Sequence, residues 1–235
     1  MLPMALSVSV YNAYAQEARS PFPPPISADQ LDRHRLRVQA PEQIAPGQYR
    51  IGEILLNKAE KSVSFPAVVN MNKGLLEYLL VRQAGKVHES LLRTAIEPYN
   101  LQLACLLVGM EGTNTPLAYQ GDPGTPKGDP VEIVLQLKNN DGKTLTVSPE
   151  TWVTQVVGDT KRDAPPARWI YTGSLVHNGR FAAQISGSIV AIYHDPVAMI
   201  DNASAGGESD KIWFVNEGTA PPVGTPVMVT FRSKK

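Results

Sequence analysis

Residues 74–92 read GLLEYLLVRQAGKVHESLL. The apolar run at residues 75–81 is typical of a buried strand, and residues 87–94 follow it as a second candidate strand. The short Gly-containing segment between them, QAGK at residues 83–86, predicts a hairpin loop. We therefore expect two adjacent strands that are joined by a hairpin.

The rest of the chain is interrupted by turn residues in the same way. Its 235 residues include 20 prolines and 18 glycines, which favours short strands and frequent turns over long helices. Residues 98–109 are the exception, because Pro98 suits the start of a helix, Gly109 suits its end, and the residues between them are apolar on nearly all sides. The expected fold is therefore α+β, with mostly antiparallel β-strands around one buried helix and short additional helices.

The chain divides into three segments. Residues 2–11 (LPMALSVSVY) form an apolar run that is too short to span a bilayer, and the triplet Ala-Tyr-Ala at residues 13–15 matches a signal-peptidase site. We expect a signal peptide at residues 1–15, a Pro-rich flexible tether at residues 16–47 and the folded domain at residues 48–235. The protein would then be exported to a periplasmic or extracellular location, with no stable membrane insertion after signal cleavage. No Lys or Arg precedes the apolar run, so a disordered or helical tail is the alternative.

Charge and cysteine content exclude several classes of function. Acidic and basic residues balance at 22 each, so no charge excess indicates nucleic acid as a partner. The single cysteine, Cys105, excludes an intrachain disulfide and any Cys-rich zinc or iron–sulfur site made by this chain alone. Its leucine neighbours favour a small core side chain over a reactive thiolate. We expect no metal and no cofactor.

Several segments together resemble the YdjY-like domain family, over residues 49–232. The blocks that carry the resemblance are FPAVVN at 65–70, GLLEYLLV at 74–81, GKVHESLL at 85–92, YTGS at 171–174, SIVAIYHDP at 188–196 and GTPV at 224–227. The resemblance implies an exported protein of an uncharacterised family. Some relatives carry ferredoxin-type cysteine clusters, but this chain has only Cys105, so their electron-transfer role does not carry over.

The first candidate ligand-binding site lies at residues 85–89, where a cation (Lys86), an imidazole (His88) and a carboxylate (Glu89) fall close together. In a regular strand Lys86 and His88 face one way and Glu89 the other, so only a bulge would unite them. Glu77, on the neighbouring strand, is placed to meet His88 across the hairpin. The structural alternative is a buried hydrogen bond from Glu89 or Glu77 to His88 or to the backbone. A zincin site is excluded, because no second His follows four residues after the first.

The second candidate is His194-Asp195, at the end of a predicted strand. Asp195 and Pro196 suit the N-cap and first position of a short helix through residue 200. Backbone N–H groups at such a helix start bind anions, and His194 would serve as ligand or base. The alternative is that Asp195 only caps the helix. Residues 112–130 lack periodicity, and a loop of this length is either mobile or functional.

Two functions remain open from the sequence. The first is a non-catalytic binding or interaction module of the cell envelope, whose partner is an unknown envelope protein or a small ligand. Aromatic residues of the later strands would line its groove: Trp152, Trp169, Tyr171, Trp213 and Phe214. The second is a hydrolase-like or ligand-processing enzyme that uses Lys86, His88 and Glu89 with His194-Asp195. The absence of a recognisable nucleophile–base pair favours the first.

Overall fold

The structure is a computed structural model that describes residues 39–139, 141–177 and 179–235. The predicted signal peptide and most of the predicted tether lie outside these residues. The strands of the first part are β1 (Glu42–Ala45), β2 (Gln48–Ile51), β3 (Ile54–Asn57), β4 (Ser62–Val69), β5 (Tyr78–Arg82), β6 (Ser90–Thr94), β7 (Asp129–Lys138) and β8 (Thr144–Val147). Those of the second are β9 (Val153–Val157), β10 (Thr160–Asp163), β11 (Trp169–Tyr171), β12 (Val176–His177), β13 (Arg180–Phe181), β14 (Ser188–Ala191), β15 (Ile200–Asn202), β16 (Trp213–Val215) and β17 (Pro226–Ser233).

Four short helical elements accompany the strands of the described residues. The α-helices are α1 (Pro98–Leu107) and α2 (Ala182–Ser186). The 3-10 helices are η1 (Val87–Glu89) and η2 (Pro149–Trp152). None of the helices in the described part of the chain is long and apolar enough to cross a bilayer.

Eight strands close into a β-barrel, in the order β4, β17, β7, β11, β15, β14, β5 and β6, with β6 pairing back to β4. The pairs β5–β6 and β14–β15 are parallel, and the other six pairs are antiparallel. Strands β3, β2 and β1 extend the sheet outward from β4, so the ordered sheet includes residues 42–45 of the segment predicted as tether. A separate three-stranded sheet of β10, β9 and β16 lies beside the barrel.

The barrel is filled by side chains from its own strands. Along β4 buried and partly buried residues alternate, so that Phe65 and every second residue on either side of it point inward. The ring of Phe65 packs edge-to-face on Phe231 of β17, with 5.1 Å between ring centroids. An eight-stranded barrel has an interior just wide enough for such side chains.

The predicted α+β fold around a buried central helix is wrong. The described residues are mostly β, with 41% strand and 11% helix, and α1 is not a central helix. One side of α1, with Leu101, Ala104 and Cys105, is buried, whereas Leu106 is 52% exposed. The apolar sequence of α1 did not require a central position, because the interior is already occupied by strand side chains.

The predicted hairpin at residues 83–86 is also wrong. Strands β5 and β6 pair in parallel, with Tyr78 opposite Ser90 and Leu80 opposite Leu92. The connection must therefore return to the starting end of β5, and it does so through η1. As a consequence, His88 and Glu89 belong to the connection rather than to a strand. This change in topology determines which residues the candidate site contains.

Candidate functional site

The connection between β5 and β6 places Lys86 beside the first residues of β5. The Lys86 ammonium donates a hydrogen bond to the Tyr78 hydroxyl at 2.8 Å and lies 4.9 Å from the centroid of the same ring. Its Nζ atom is also 3.7 Å from Glu89 Oε1. Lys86 and Glu89 therefore meet because η1 curls the backbone, and not because a strand carries a bulge.

Behind Lys86, Tyr78 bonds to a buried aspartate. The Tyr78 hydroxyl donates to Asp195 Oδ2 at 2.6 Å, and both residues are buried. Burial, together with the Asp195 carboxyl, raises the pKa of Tyr78 well above its usual value. Tyr78 thus remains a neutral donor that joins the 83–89 connection to the segment after β14.

Glu77 completes this polar cluster, which consists of Glu77, Tyr78, Lys86, Glu89 and Asp195. Burial raises the pKa of Glu77, the nearby Glu89 raises it further, and Lys86 opposes both effects. Gln120, from the long loop, donates to Glu77 Oε2 at 3.1 Å and to the Tyr78 hydroxyl at 3.3 Å. The two glutamates form a carboxyl pair that is able to hold and exchange a proton beside an ammonium group.

His88 stands at the edge of this cluster. Its side chain is 76% exposed, and its Nε2 atom lies 3.5 Å from Glu89 Oε2. The buried hydrogen bond considered as the structural alternative for His88 is therefore not present. Exposure leaves His88 available to a ligand but gives it no fixed orientation.

His194 has a different environment from the one its sequence suggested. Its ring is buried, with Nδ1 2.7 Å from the carbonyl oxygen of Asp122 and Nε2 2.7 Å from that of Asn202. The ring therefore ties the long loop to β15 and does not face the polar cluster. No helix follows it, because residues 196–199 form only turns and bends. Asp195 Oδ1 accepts the Val197 N–H at 3.1 Å within this turn, so the predicted helix start is wrong.

The sequence-predicted residues thus fall into two groups. Lys86, Glu89, Glu77 and Asp195 gather around Tyr78, whereas His88 is exposed at the edge and His194 bonds elsewhere, to Asp122 and Asn202. In the described part of the chain no group of three or more His, Cys, Asp or Glu residues is arranged to hold a metal ion. The sequence patterns did not identify Tyr78 or Gln120, because neither residue lies in a motif that predicts its contacts.

A groove of about 700 Å³ lies on another part of the barrel, between β7, β8, η2 and the segment before β11. Its apolar lining includes Val147, Ala164, Ala167 and Trp169. Its polar lining includes Glu132, Glu150, Thr151, Asp163, Asn216, Thr219 and Lys234. Of the five aromatic residues expected to line a groove, Trp169 is the one found in this lining, although it is largely buried. Trp152, Tyr171 and Trp213 are also buried, and Phe214 is partly buried.

Hydrogen bonds hold the walls of this groove in place. Glu150 Oε1 accepts the Ala167 N–H at 3.2 Å and the Trp169 indole N–H at 3.0 Å, which fixes η2 against the segment before β11. On the opposite wall, Lys234 lies 3.0 Å from Glu132. The groove is therefore a preformed feature of the barrel surface. Sequence patterns could not identify it, because its walls come from elements far apart in the chain.

Comparison with known proteins gives one match. A family model described as the YdjY domain matches residues 54–232, which is most of the chain. No curated protein and no solved structure matches the chain. The matched range contains both the polar cluster and nearly all of the groove lining.

Proposed function

Because the chain belongs to the YdjY domain family, a family of uncharacterised proteins, we propose its function from its own surface: it is an exported, non-catalytic binding module of the cell envelope. The groove beside β7 is its ligand site. The observation that carries this proposal is the groove of about 700 Å³, which is lined by both apolar and polar residues and whose walls are held by hydrogen bonds. Ligand sites in proteins typically have volumes of about 300–1,000 Å³.

The bonding of the predicted catalytic residues supports binding over catalysis. The Asp195 carboxyl accepts from Tyr78, and both ring nitrogens of His194 face backbone carbonyl oxygens. These contacts stabilise the fold, and they leave neither residue oriented toward a substrate. A base needs a lone pair within reach of the proton that it removes.

The export part of the proposal is supported by the N-terminal sequence. The apolar run at residues 2–11, the Ala-Tyr-Ala triplet at residues 13–15 and the prolines that follow have the order expected of a signal peptide and a tether. Cleavage after residue 15 would release the barrel with its Pro-rich N-terminal segment, so that the groove is open to envelope components.

Binding at the groove is tested with two tryptophan variants on the same wall. Ser148→Trp places an indole beside the groove, since Ser148 lines it, whereas Thr144→Trp adds the same bulk at the exposed far end of β8. Fractions of a host envelope extract are added to ¹⁵N-labelled protein, and amide chemical shifts are recorded. We expect at least one fraction to shift the groove resonances in the parent and in Thr144→Trp, but not in Ser148→Trp. If no fraction does so, the groove is not the ligand site.

A second candidate function, a ligand-processing enzyme, is favoured by one observation. The raised pKa of Glu77 beside Glu89 and Lys86 is the kind of perturbation that proton-transfer sites contain. Exposed His88 would then contact the substrate. If a turnover activity is found, Lys86→Met and Glu89→Gln should each abolish it, while Ser148→Trp should leave it unchanged. The opposite pattern would assign the activity to the groove.

A further inference from the structure

Strand β7 has two different neighbours along one of its edges. Its other edge pairs with β17 from Val131 to Gln136 without interruption. Along the first edge, the pairing with β11 ends at Val131, which lies opposite Trp169. The pairing with β8 begins at Leu135, which lies opposite Val147. Three residues between these points, 132–134, have no strand partner on this edge among the described residues.

The direction of backbone hydrogen bonding alternates along β7, and this alternation identifies which backbone groups face the gap. In an antiparallel pair, successive residues direct their N–H and C=O groups to opposite edges. The carbonyl oxygen of Pro130 accepts a hydrogen bond from the backbone N–H of Lys234, which directly follows β17. The even-numbered residues of β7 therefore face β17. The backbone N–H of Asn139 donates a hydrogen bond to the carbonyl oxygen of Lys143, which directly precedes β8. The odd-numbered residues of β7 therefore face the other edge. The N–H and C=O groups of Ile133 therefore both point into the gap.

The gap opens onto the groove, because residues 132, 133 and 134 all line it. No hydrogen bond of the described residues uses the Ile133 backbone on this edge. The Ile133 side chain points to the core, and the residue as a whole is buried. Backbone groups in such a position are almost always paired with another chain, a ligand or water.

We propose that the groove binds an extended peptide, one residue of which pairs with both backbone groups of Ile133. This inference rests on the proposed binding function and names the ligand class of the same groove. Pairing of an extended peptide with an open strand edge is a general mode of recognition, in which main-chain bonds give affinity and alternate side chains give specificity. The unpaired stretch of three residues, 132–134, is about 10 Å long at about 3.3 Å per residue, so it faces three residues of a peptide.

The neighbouring strands define the side chains that this peptide should carry. Paired residues place their side chains on the same face of a sheet, so the residue opposite Ile133 would lie between Val147 and Trp169. These two apolar side chains favour a small apolar residue. The flanking peptide residues would point outward into the groove, whose lining carries three carboxylates, Glu132, Glu150 and Asp163, and one ammonium group, Lys234. The flanking residues should therefore be basic.

The test uses three synthetic tripeptides and the full-length ¹⁵N-labelled protein. Ac-Lys-Val-Lys-NH₂ should shift the Ile133 amide resonance in a saturable way and slow its hydrogen exchange. Ac-Glu-Val-Glu-NH₂ should bind more weakly by at least about threefold, the effect of modestly screened charges. A peptide with N-methylated valine should not bind, because it lacks the donor for the Ile133 carbonyl.

Matched variants locate the effect. Asp163→Asn should reduce the preference for the lysine peptide, whereas Asp159→Asn, on the exposed turn before β10 and outside the groove lining, should retain it. Ser148→Trp should abolish binding and Thr144→Trp should not. No saturable shift at Ile133, equal binding of the N-methylated peptide, or shifts confined to the outer edge of β8 would each overturn the peptide proposal. If envelope fractions still shift the groove resonances after protease treatment while the tripeptides do not, the peptide proposal fails and the binding function stands. If neither the fractions nor the tripeptides shift them, both fail.

Discussion

Removing one oxygen atom from Tyr78 should destabilise the protein by about 2 kcal/mol. Tyr78→Phe eliminates the 2.6 Å hydrogen bond to Asp195 and leaves a buried carboxyl with one partner fewer. Hydrogen bonds that involve a charged group contribute about 1.5–3 kcal/mol, and an unsatisfied buried group costs a similar amount. Lys86 and Gln120 also lose an acceptor, but both are partly exposed and are able to bind water instead.

Thermal and urea unfolding measure this effect directly. For a domain of this size, about 2–4 °C of melting temperature corresponds to 1 kcal/mol, so we expect a decrease of about 4–8 °C. Tyr119→Phe is the matched control, because Tyr119 is on the surface, and it should change stability by less than about 0.5 kcal/mol. The pKa of Tyr78 is raised in the folded state, so its contribution is present below the unfolded pKa of about 10 and decreases at higher pH. A Tyr78→Phe variant as stable as the parent at pH 7 would refute the Tyr78–Asp195 bond as a support of this end of the barrel.

Four further predictions concern single residues. His88→Ala should change stability by less than about 0.5 kcal/mol in urea unfolding, because the side chain is 76% exposed, and a larger loss would mean that His88 is packed. Glu77→Gln should raise stability at pH 7 by about a few tenths of a kcal/mol after screening, since burial and Glu89 raise the pKa of Glu77. This advantage should vanish below about pH 4.5, where the unfolded side chain is also protonated, and a pH-independent difference would contradict the cause. Cys105 should not react with thiol reagents in the folded protein, because it is buried and burial raises the pKa of its thiol. Rapid labelling would place Cys105 at the surface. Cys105→Ala should lower the free energy of unfolding by about 1–2 kcal/mol. Protein recovered from its host should begin at or near Gln16, and N-terminal sequencing that finds Met1 would remove the support for export.

The sequence predicted strands well where burial alternates. Residues 62–69 and 226–233 form β4 and β17, whose inward residues follow the period of two that the sequence shows there. The connectivity of the strands was not accessible in this way. A short Gly-containing loop predicts a hairpin, yet β5 and β6 pair in parallel, and β6 closes the barrel by pairing with β4 on its other edge. Closure is a property of the whole chain, and no local segment carries a signal for it.

The same limit applies to the two candidate sites. Lys86 and Glu89 were identified from their spacing, and Glu77 was expected on the adjacent strand, but the expected partner of Glu77 was His88. In the structure the contacts of Glu77 come from Gln120, which is more than forty positions away in the long loop. The loop itself is held by Gly121 and Asp122 against His194, so its length reflects anchoring across the end of the barrel. Local patterns identify side chains whose chemistry suits a binding or catalytic site, whereas tertiary contacts determine which of these side chains lie close together.

The groove follows from the way in which the barrel uses β7. This strand is ten residues long, more than twice the length of β8 or β11, so these two strands share one of its edges. β11 pairs with the first three residues, and β8 pairs with the last four, which leaves Ile133 between them. Neither neighbour extends into the gap, because Pro149 starts η2 after β8 and the proline pair at residues 165–166 precedes β11. The prolines that made the sequence look like a series of short strands thus also create the open backbone edge to which we assign the ligand.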